Sequence, residues 1–134
     1  MGTILLIEDN SDHATLINHG LAEGGDRVIH QSNGQEALQF LNRTNASDRP
    51  NLVILDLKLP GMDGFETLQA IRSNPKLKLL PVVILTTSKY IQEINRAYEL
   101  GASGFVTKSE DFPELLSKLK RVKDYWIKTV ERPE

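Results

Sequence analysis

Three short apolar runs, Ile4-Leu5-Leu6-Ile7, Leu52-Val53-Ile54-Leu55 and Val82-Val83-Ile84-Leu85, constrain this chain more than any other feature. Each is continuous rather than alternating, so each segment needs cover on both faces, as a central strand of a parallel sheet does. Arg27-Val28-Ile29-His30-Gln31 and Gly104-Phe105-Val106-Thr107 are more polar strand candidates that suit sheet edges. Between these five segments the apolar residues recur at helical spacing. One helix carries Ala14, Leu16-Ile17 and Leu21 and stops at Gly24-Gly25, and the next carries Ala37-Leu38 and Leu41. A third carries Phe65, Leu68 and Ile71 and stops at Asn74-Pro75, and a fourth carries Ile91, Ile94 and Tyr98 and stops at Gly101. The last runs through Leu115-Leu116, Leu119, Val122, Trp126 and Val130. Ser32 with Gln35, Asp63 with Glu66 and Asp111 with Glu114 have the spacing of helix caps, and Pro113 is tolerated in a first turn. Five strands alternating with five helices predict an α/β protein of (βα)5 type, because parallel neighbours need crossover connections.

Size and composition fit one such unit. The 134 residues, 40% apolar and 25% charged, suffice for a single domain with its own core. The near-neutral balance of 16 basic and 18 acidic residues argues against a sequence-independent grip on nucleic acid or an anionic membrane. Zero cysteines exclude a thiolate metal site, a cysteine nucleophile and a disulfide scaffold, and apolar runs of four to five residues are too short to span a membrane. A cytoplasmic protein is expected, with no leader, linker or output domain attached.

The chemistry collects just after the strands. The first run is followed by Glu8-Asp9, the second by Asp56, the third by Thr86-Thr87, and the fifth strand ends in Thr107-Lys108. In a parallel sheet these ends share one edge, where open α/β sheets bind their ligands. Three carboxylates there repel one another by about 1 kcal/mol per pair at 4 Å in water and about 4 at an effective dielectric of 20, so they call for a cation. All-oxygen donors suit a hard cation that keeps several waters, which points to Mg²⁺. Lys108 and Thr86 add a positive charge and a hydroxyl donor for an anion beside Asp56. This equipment suits phosphoryl transfer to an aspartate, with the new charge drawing in Thr86 and Lys108 and moving their loops. The turn at Leu59-Pro60-Gly61-Met62-Asp63-Gly64 lets the backbone bend close enough for the Lys58 carbonyl to join the metal ligands.

Several stretches together resemble the receiver domain of two-component response regulators. They are Glu8-Asp9-Asn10, Asn33-Gly34-Gln35-Glu36-Ala37-Leu38, Asp56 to Gly64, Pro81 to Thr86, Ala97 to Ala102 and Phe105-Val106-Thr107-Lys108. The spacings of 30 residues from Asp56 to Thr86 and 22 from Thr86 to Lys108 are those of the family. The resemblance implies a flavodoxin-like, doubly wound parallel sheet of strand order 2-1-3-4-5. It implies Asp56 as phosphoacceptor, Glu8 and Asp9 as the Mg²⁺ pair, Thr86 as switch hydroxyl, Phe105 as the aromatic that follows it, and Lys108 as the phosphate-binding lysine. A sensor histidine kinase would be the donor, and the chain would assist its own phosphorylation and dephosphorylation without being an enzyme on other substrates. Two departures stand out. Ser109 replaces the proline usual after the lysine, where a cis peptide is often found, and the 47 residues from Asp9 to Asp56 exceed the shortest receivers, the excess falling in the polar loop 44–50. Together with Asn74-Pro75-Lys76-Leu77-Lys78, Thr86-Thr87-Ser88, Lys108-Ser109 and Tyr125-Trp126, these features look like the stand-alone regulators that partner bacterial and cyanobacterial phytochromes.

Plainer readings stand beside these. Thr86 is also placed to cap the fourth helix, and Phe105 to be static core. Thr87, bulkier than the small residue common at that position, is expected to slow water's approach to an acyl phosphate. His13, His19 and His30 lack ligand spacing and read as surface residues, as does the cluster Lys118, Lys120, Arg121 and Lys123 on the last helix. That helix, over about 112–130 of a single receiver domain spanning 1–134, outruns the sheet, so Tyr125, Trp126 and Ile127, with Ile94 and Tyr98, are expected to form a homodimer face. The alternative is that Trp126 folds back as a lid on its own core. Two other functions stay open. One is a haloacid dehalogenase-type phosphatase, against which stands Lys58 at the position of that class's second aspartate. The other is a receiver-like module that is never phosphorylated.

Overall fold

The computed structural model describes residues 2–133. Its elements are β1 (Thr3–Ile7), α1 (Ser11–Leu21), β2 (Arg27–Gln31), α2 (Gly34–Arg43), β3 (Leu52–Leu55), α3 (Gly64–Ser73), β4 (Val82–Thr86), α4 (Ile91–Glu99), β5 (Gly104–Thr107) and α5 (Phe112–Asp124). All strand pairs are parallel and the sheet order is β2-β1-β3-β4-β5, the flavodoxin-like arrangement expected from the sequence.

The continuous apolar runs are explained by cover on both faces. Successive side chains of a strand point to opposite sides. Leu5, Ile7, Val53, Leu55, Val82 and Ile84 pack with residues of α2, α3 and α4, among them Leu41, Leu68, Ile71 and Ala97. Ile4, Leu6, Leu52, Ile54, Val83 and Leu85 pack with Ile17 and Leu21 of α1 and Leu115 and Leu119 of α5. These strand side chains are almost fully buried. At about 1.5–3 kcal/mol per buried aliphatic side chain, the two cores supply most of the drive to fold. The edge strands β2 and β5 are only partly covered.

Three details depart from the sequence reading. The cap of α2 is Asn33, whose side chain accepts from Glu36 N–H, one residue beyond the Ser32–Gln35 pair; Asp63 and Asp111 cap as expected, and Asp63–Glu66 forms a reciprocal capping box. The last helix is α-helical only to Asp124 and closes in a π turn over Tyr125–Thr129. Trp126 and Ile127 pack, partly buried, against the core between the sheet and α1/α5, as in the lid alternative, while Tyr125 stays 51% exposed. Arg132 donates to the Trp126 and Ile127 carbonyls at 3.0 Å, satisfying acceptors that the helix end leaves open. The third departure is Lys123, which is buried rather than solvated. It lies four residues beyond Leu119, on the buried stripe of α5, and its ammonium donates to Leu21 O at 3.1 Å and Glu23 O at 2.8 Å and pairs with Asp26 at 3.0 Å. No cis peptide occurs among the described residues, Lys108-Ser109 included.

Candidate functional site

The site is assembled by four strand ends, those of β1, β3, β4 and β5, and the turns that leave them. After Ile7 the chain presents Glu8 and Asp9, and Asn10 then caps α1, its side chain accepting from Asp12 and His13 N–H at 3.1 Å. The Glu8 backbone is held on both sides, its N–H donating to Gln31 O at 3.1 Å and its carbonyl accepting from His30 Nε2 at 2.7 Å. Asp56 N–H donates to Ile7 O at 3.1 Å, extending the ladder one residue past β3, so its side chain emerges beside Glu8. The following turn folds back tightly. Gly61 has φ +71°, and Gly64 N–H donates to Leu57 O at 2.9 Å. A Cβ on Gly64 would stand 2.4 Å from the Asp56 carbonyl oxygen, so only glycine lets the start of α3 approach the acidic residue this closely.

One oxygen each from Glu8, Asp9 and Asp56 lie within 4.8 Å of one another. Glu8 and Asp56 are buried and Asp9 is exposed, which leaves a way in from solvent. Lys108, positioned at the end of β5 by its N–H bond to Thr86 O at 2.7 Å, reaches across the sheet edge. Its ammonium donates to Asp56 Oδ2 at 3.0 Å and pairs with Glu8 Oε1. Asp56 Oδ1 accepts from Lys58 N–H at 3.1 Å; the Lys58 side chain is exposed, outside the cluster. Thr86 is fully buried inside β4 and does not cap α4, whose N-cap is Tyr90; its Oγ1 accepts from Ser88 N–H at 3.4 Å. Ser88 Oγ in turn bonds Glu93 of α4, so Thr86 and α4 are joined through one loop residue. Phe105 packs half-buried against the core on the α2/α3/α4 side, next to Ile84 in the β4–β5 register. Thr87 is exposed and lines a small cleft of about 260 Å³ with His13, Lys108 and Phe112.

The electrostatics of the cluster show a shortage of positive charge. Burial, reinforced by the Asp56 carboxylate, pushes the Glu8 carboxyl up to about 8 against the opposing pull of Lys108. Burial alone would depress the Lys108 ammonium, yet its bond to Glu8 and the charges of Asp56 and Glu8 hold it above its ordinary value. A further cation beside Glu8 would oppose this burial and favour its ionised form. Glu8 Oε2 is buried with no hydrogen-bond partner among the described residues, an acceptor waiting for a ligand. These observations fit a hard divalent cation held by Glu8, Asp9 and Asp56. Among the five candidates Ile94, Tyr98, Tyr125, Trp126 and Ile127, Tyr98 and Tyr125 are half-exposed, Ile94 is partly covered, and Trp126 and Ile127 face their own core. His13 was missed by sequence reasoning, although it sits in the first turn after the acidic pair; its Nδ1 lies 3.6 Å from Glu8 Oε1 and its ring meets Phe112 edge-on at 5.8 Å.

Comparison with known proteins decides the family. The response regulator receiver domain model matches residues 4–120. The chain belongs to the response regulator receiver family. Among similar receivers, the response regulator Rcp1 of Synechocystis is 36% identical over 135 residues, covering 97% of this chain and 92% of that protein. The crystal structure of the phosphorylated cyanobacterial phytochrome response regulator RcpA superimposes with a TM-score of 0.92 at 35% identity over 99% of each chain. The Mn(2+)-bound form of Rcp1 follows the same course, with a TM-score of 0.88 at 34% identity over 100% of both chains. Receivers are phosphoacceptors of two-component signalling, and this chain has the receiver architecture over nearly its whole length.

Proposed function

We propose that Asp56 of this receiver accepts a phosphoryl group from phosphohistidine on a sensor histidine kinase, in a step assisted by Mg²⁺. The observation that carries the reading is the convergence of the Lys108 ammonium on Asp56 and Glu8 within a pocket of three carboxylates. An Asp56 carboxylate oxygen attacks phosphorus in line, the P–N bond to the imidazole breaks as the P–O bond forms, and the nitrogen keeps the electron pair. A cation held by Glu8, Asp9, Asp56 and the Lys58 carbonyl would neutralise charge on the phosphoryl oxygens. Lys108 then meets those oxygens from the other side, already oriented by its backbone bond to Thr86. The Thr86 hydroxyl, with no acceptor of its own among the described residues, donates to the third oxygen and leaves Ser88 N–H. That exchange loosens the Ser88–Glu93 link and frees the start of α4 to move, with Phe105 of β5 following Thr86.

The cognate kinase is proposed to be of the phytochrome class, on the strength of the likeness to RcpA, a cyanobacterial phytochrome response regulator. Label transferred from an autophosphorylated phytochrome-type kinase to the wild type but not to Asp56→Asn is the expected result; transfer to both would move the acceptor elsewhere. The phosphatase reading is disfavoured by Lys58 at the position where that class needs an acid. A location in the cytoplasm fits a chain in which no described helix is long and apolar enough to cross a membrane. A second copy of the chain is the proposed partner for the exposed apolar side chains Tyr90 at the N-cap of α4, Ile91 and Tyr98 within it, and Tyr125 after α5, which are 70%, 60%, 50% and 51% exposed. Sedimentation that shows a monomer with and without acetyl phosphate would refute this dimer.

A further inference from the structure

The sheet has a second edge, where the strands begin, and three segments that the phosphoacceptor chemistry does not use meet there. The polar loop 44–50, the turn over residues 75–81 and the end of the chain after α5 enclose a groove of about 820 Å³. Its size lies within the range of ligand sites. The strands are parallel, so this groove lies at the opposite end of β3 and β4 from Asp56 and Thr86, roughly 16 Å away at 3.3 Å per strand residue.

The groove is built and charged. Arg49 NH1 donates to Lys76 O at 2.9 Å, tying the first loop to the second, and Arg132 fastens the chain end through its bonds to Trp126 O and Ile127 O. Prolines 50, 75, 81 and 133 stiffen the walls. Among the described residues, four cationic side chains, Arg49, Lys76, Lys128 and Arg132, line it against the carboxylate of Glu131. Lys128 leans toward Asp124 at 3.6 Å, an exposed and weak pair, and Lys76 has no carboxylate within ion-pair distance among the described residues. Arg49 Nε is buried on the groove wall and has no hydrogen-bond partner among the described residues. Carboxylates are the acceptors that a guanidinium fork binds best. Between the charges the lining is mixed, with Leu79 56% exposed and Val130 alongside the polar Ser47, Asn51 and Thr129.

We infer that this groove is a docking site for an acidic peptide segment of a partner protein, one that carries aliphatic residues among its carboxylates. The cations meet the carboxylates, and Leu79 and its neighbours meet the apolar side chains. Single-stranded nucleic acid fits less well, because no lining residue is aromatic and its bases would find nothing to stack on. The distance from Asp56 lets the partner stay bound while the acidic pocket is engaged by a kinase, so the groove would tether the receiver without competing for its chemistry.

The test uses the full chain and a short labelled peptide of alternating Glu and Leu, with binding followed by fluorescence anisotropy at low and physiological salt. Two charge-reversed variants are compared, Arg49→Glu with Lys76→Glu in the groove and Lys118→Glu with Lys120→Glu on α5, which change net charge equally. Saturable binding that weakens on the order of tenfold or more in the groove variant and little in the α5 variant is expected. Equal weakening in both, or no saturable binding up to millimolar peptide, overturns the inference. A duplex DNA oligonucleotide that binds the groove as tightly as the peptide also overturns it, in favour of a general anion site. Both variants should still form the acetyl phosphate adduct at the wild-type level, which separates loss of the groove from loss of the fold. Failure of the wild type itself to form the adduct would fall on the phosphoacceptor reading and leave the groove result standing.

Discussion

Replacing Lys123 by methionine should destabilise this receiver more than almost any other single change outside its apolar core. The Lys123 ammonium is buried, with all three donors engaged: Asp26 Oδ2 at 3.0 Å, Glu23 O at 2.8 Å and Leu21 O at 3.1 Å. Asp26, itself buried, has Gly2 N–H at 2.8 Å as its other partner. Methionine fills the stem of the side chain but leaves a carboxylate buried without its cation and two carbonyls at the end of α1 without donors. Breaking a buried pair from one side costs about 3–5 kcal/mol, and at roughly 3–4 °C per kcal/mol for a domain of this size the melting temperature should fall by about 10–20 °C. Burial alone would raise the Asp26 carboxyl, but the Gly2 N–H and Lys123 hold it below its ordinary 3.8. Its ionised form therefore stabilises the wild type above pH 3.8, and this contribution is lost as pH falls through the lowered folded value. In Lys123→Met burial is unopposed by the cation, the carboxyl rises, and protonation relieves the variant instead. Urea melts of both proteins from pH 7 down to pH 3 measure the difference directly. The gap should be largest near neutrality and narrow in acid, and Asp26→Asn combined with Lys123→Met should recover part of the loss. A gap below about 1 kcal/mol at pH 7, as a solvated pair would give, or one that widens in acid, would refute the reasoning.

Gly64→Ala should cost about 1–3 kcal/mol and slow phosphorylation of Asp56, since its Cβ would press on the Asp56 carbonyl 2.4 Å away; chemical melts and adduct kinetics that match the wild type would contradict this. Thr87→Ala opens the exposed shoulder of the cleft beside Lys108, and the acyl phosphate should hydrolyse faster, by roughly threefold to tenfold, because one methyl and one hydroxyl are removed from water's path. Mg²⁺ affinity should rise with pH up to about 8 and then level off, because the cation must displace the proton that burial keeps on Glu8; the Glu8→Gln variant should bind weakly with a flat profile, both read by calorimetry.

Most of the fold was legible because both faces of β1, β3 and β4 are buried, and continuous runs such as Leu52-Val53-Ile54-Leu55 have no other comfortable place in a small protein. The cluster of Glu8, Asp9, Asp56, Thr86 and Lys108 was legible for a related reason: each follows or ends a strand, and parallel strands place those ends on one edge. What escaped depends on phase and reach rather than residue type. Lys123 carries the same charge as its solvated neighbours Lys120 and Arg121, and only the four-residue step from Leu119 sets it inside. Trp126 continues the apolar stripe of Leu115, Leu119 and Val122 into the core, but the π turn over Tyr125–Thr129 that ends the helix is announced by no apolar pattern. Asn33 takes the cap from Ser32 because both side chains can fill that role and the turn into α2 chooses between them.

The most direct test of the phosphoacceptor claim is intact mass spectrometry after incubation with acetyl phosphate and Mg²⁺, on the wild type and on Asp56→Asn. The wild type should gain the mass of one phosphoryl group, the variant none, and withholding Mg²⁺ should abolish the gain. An adduct on Asp56→Asn, or none on the wild type from either acetyl phosphate or a cognate kinase, would contradict it.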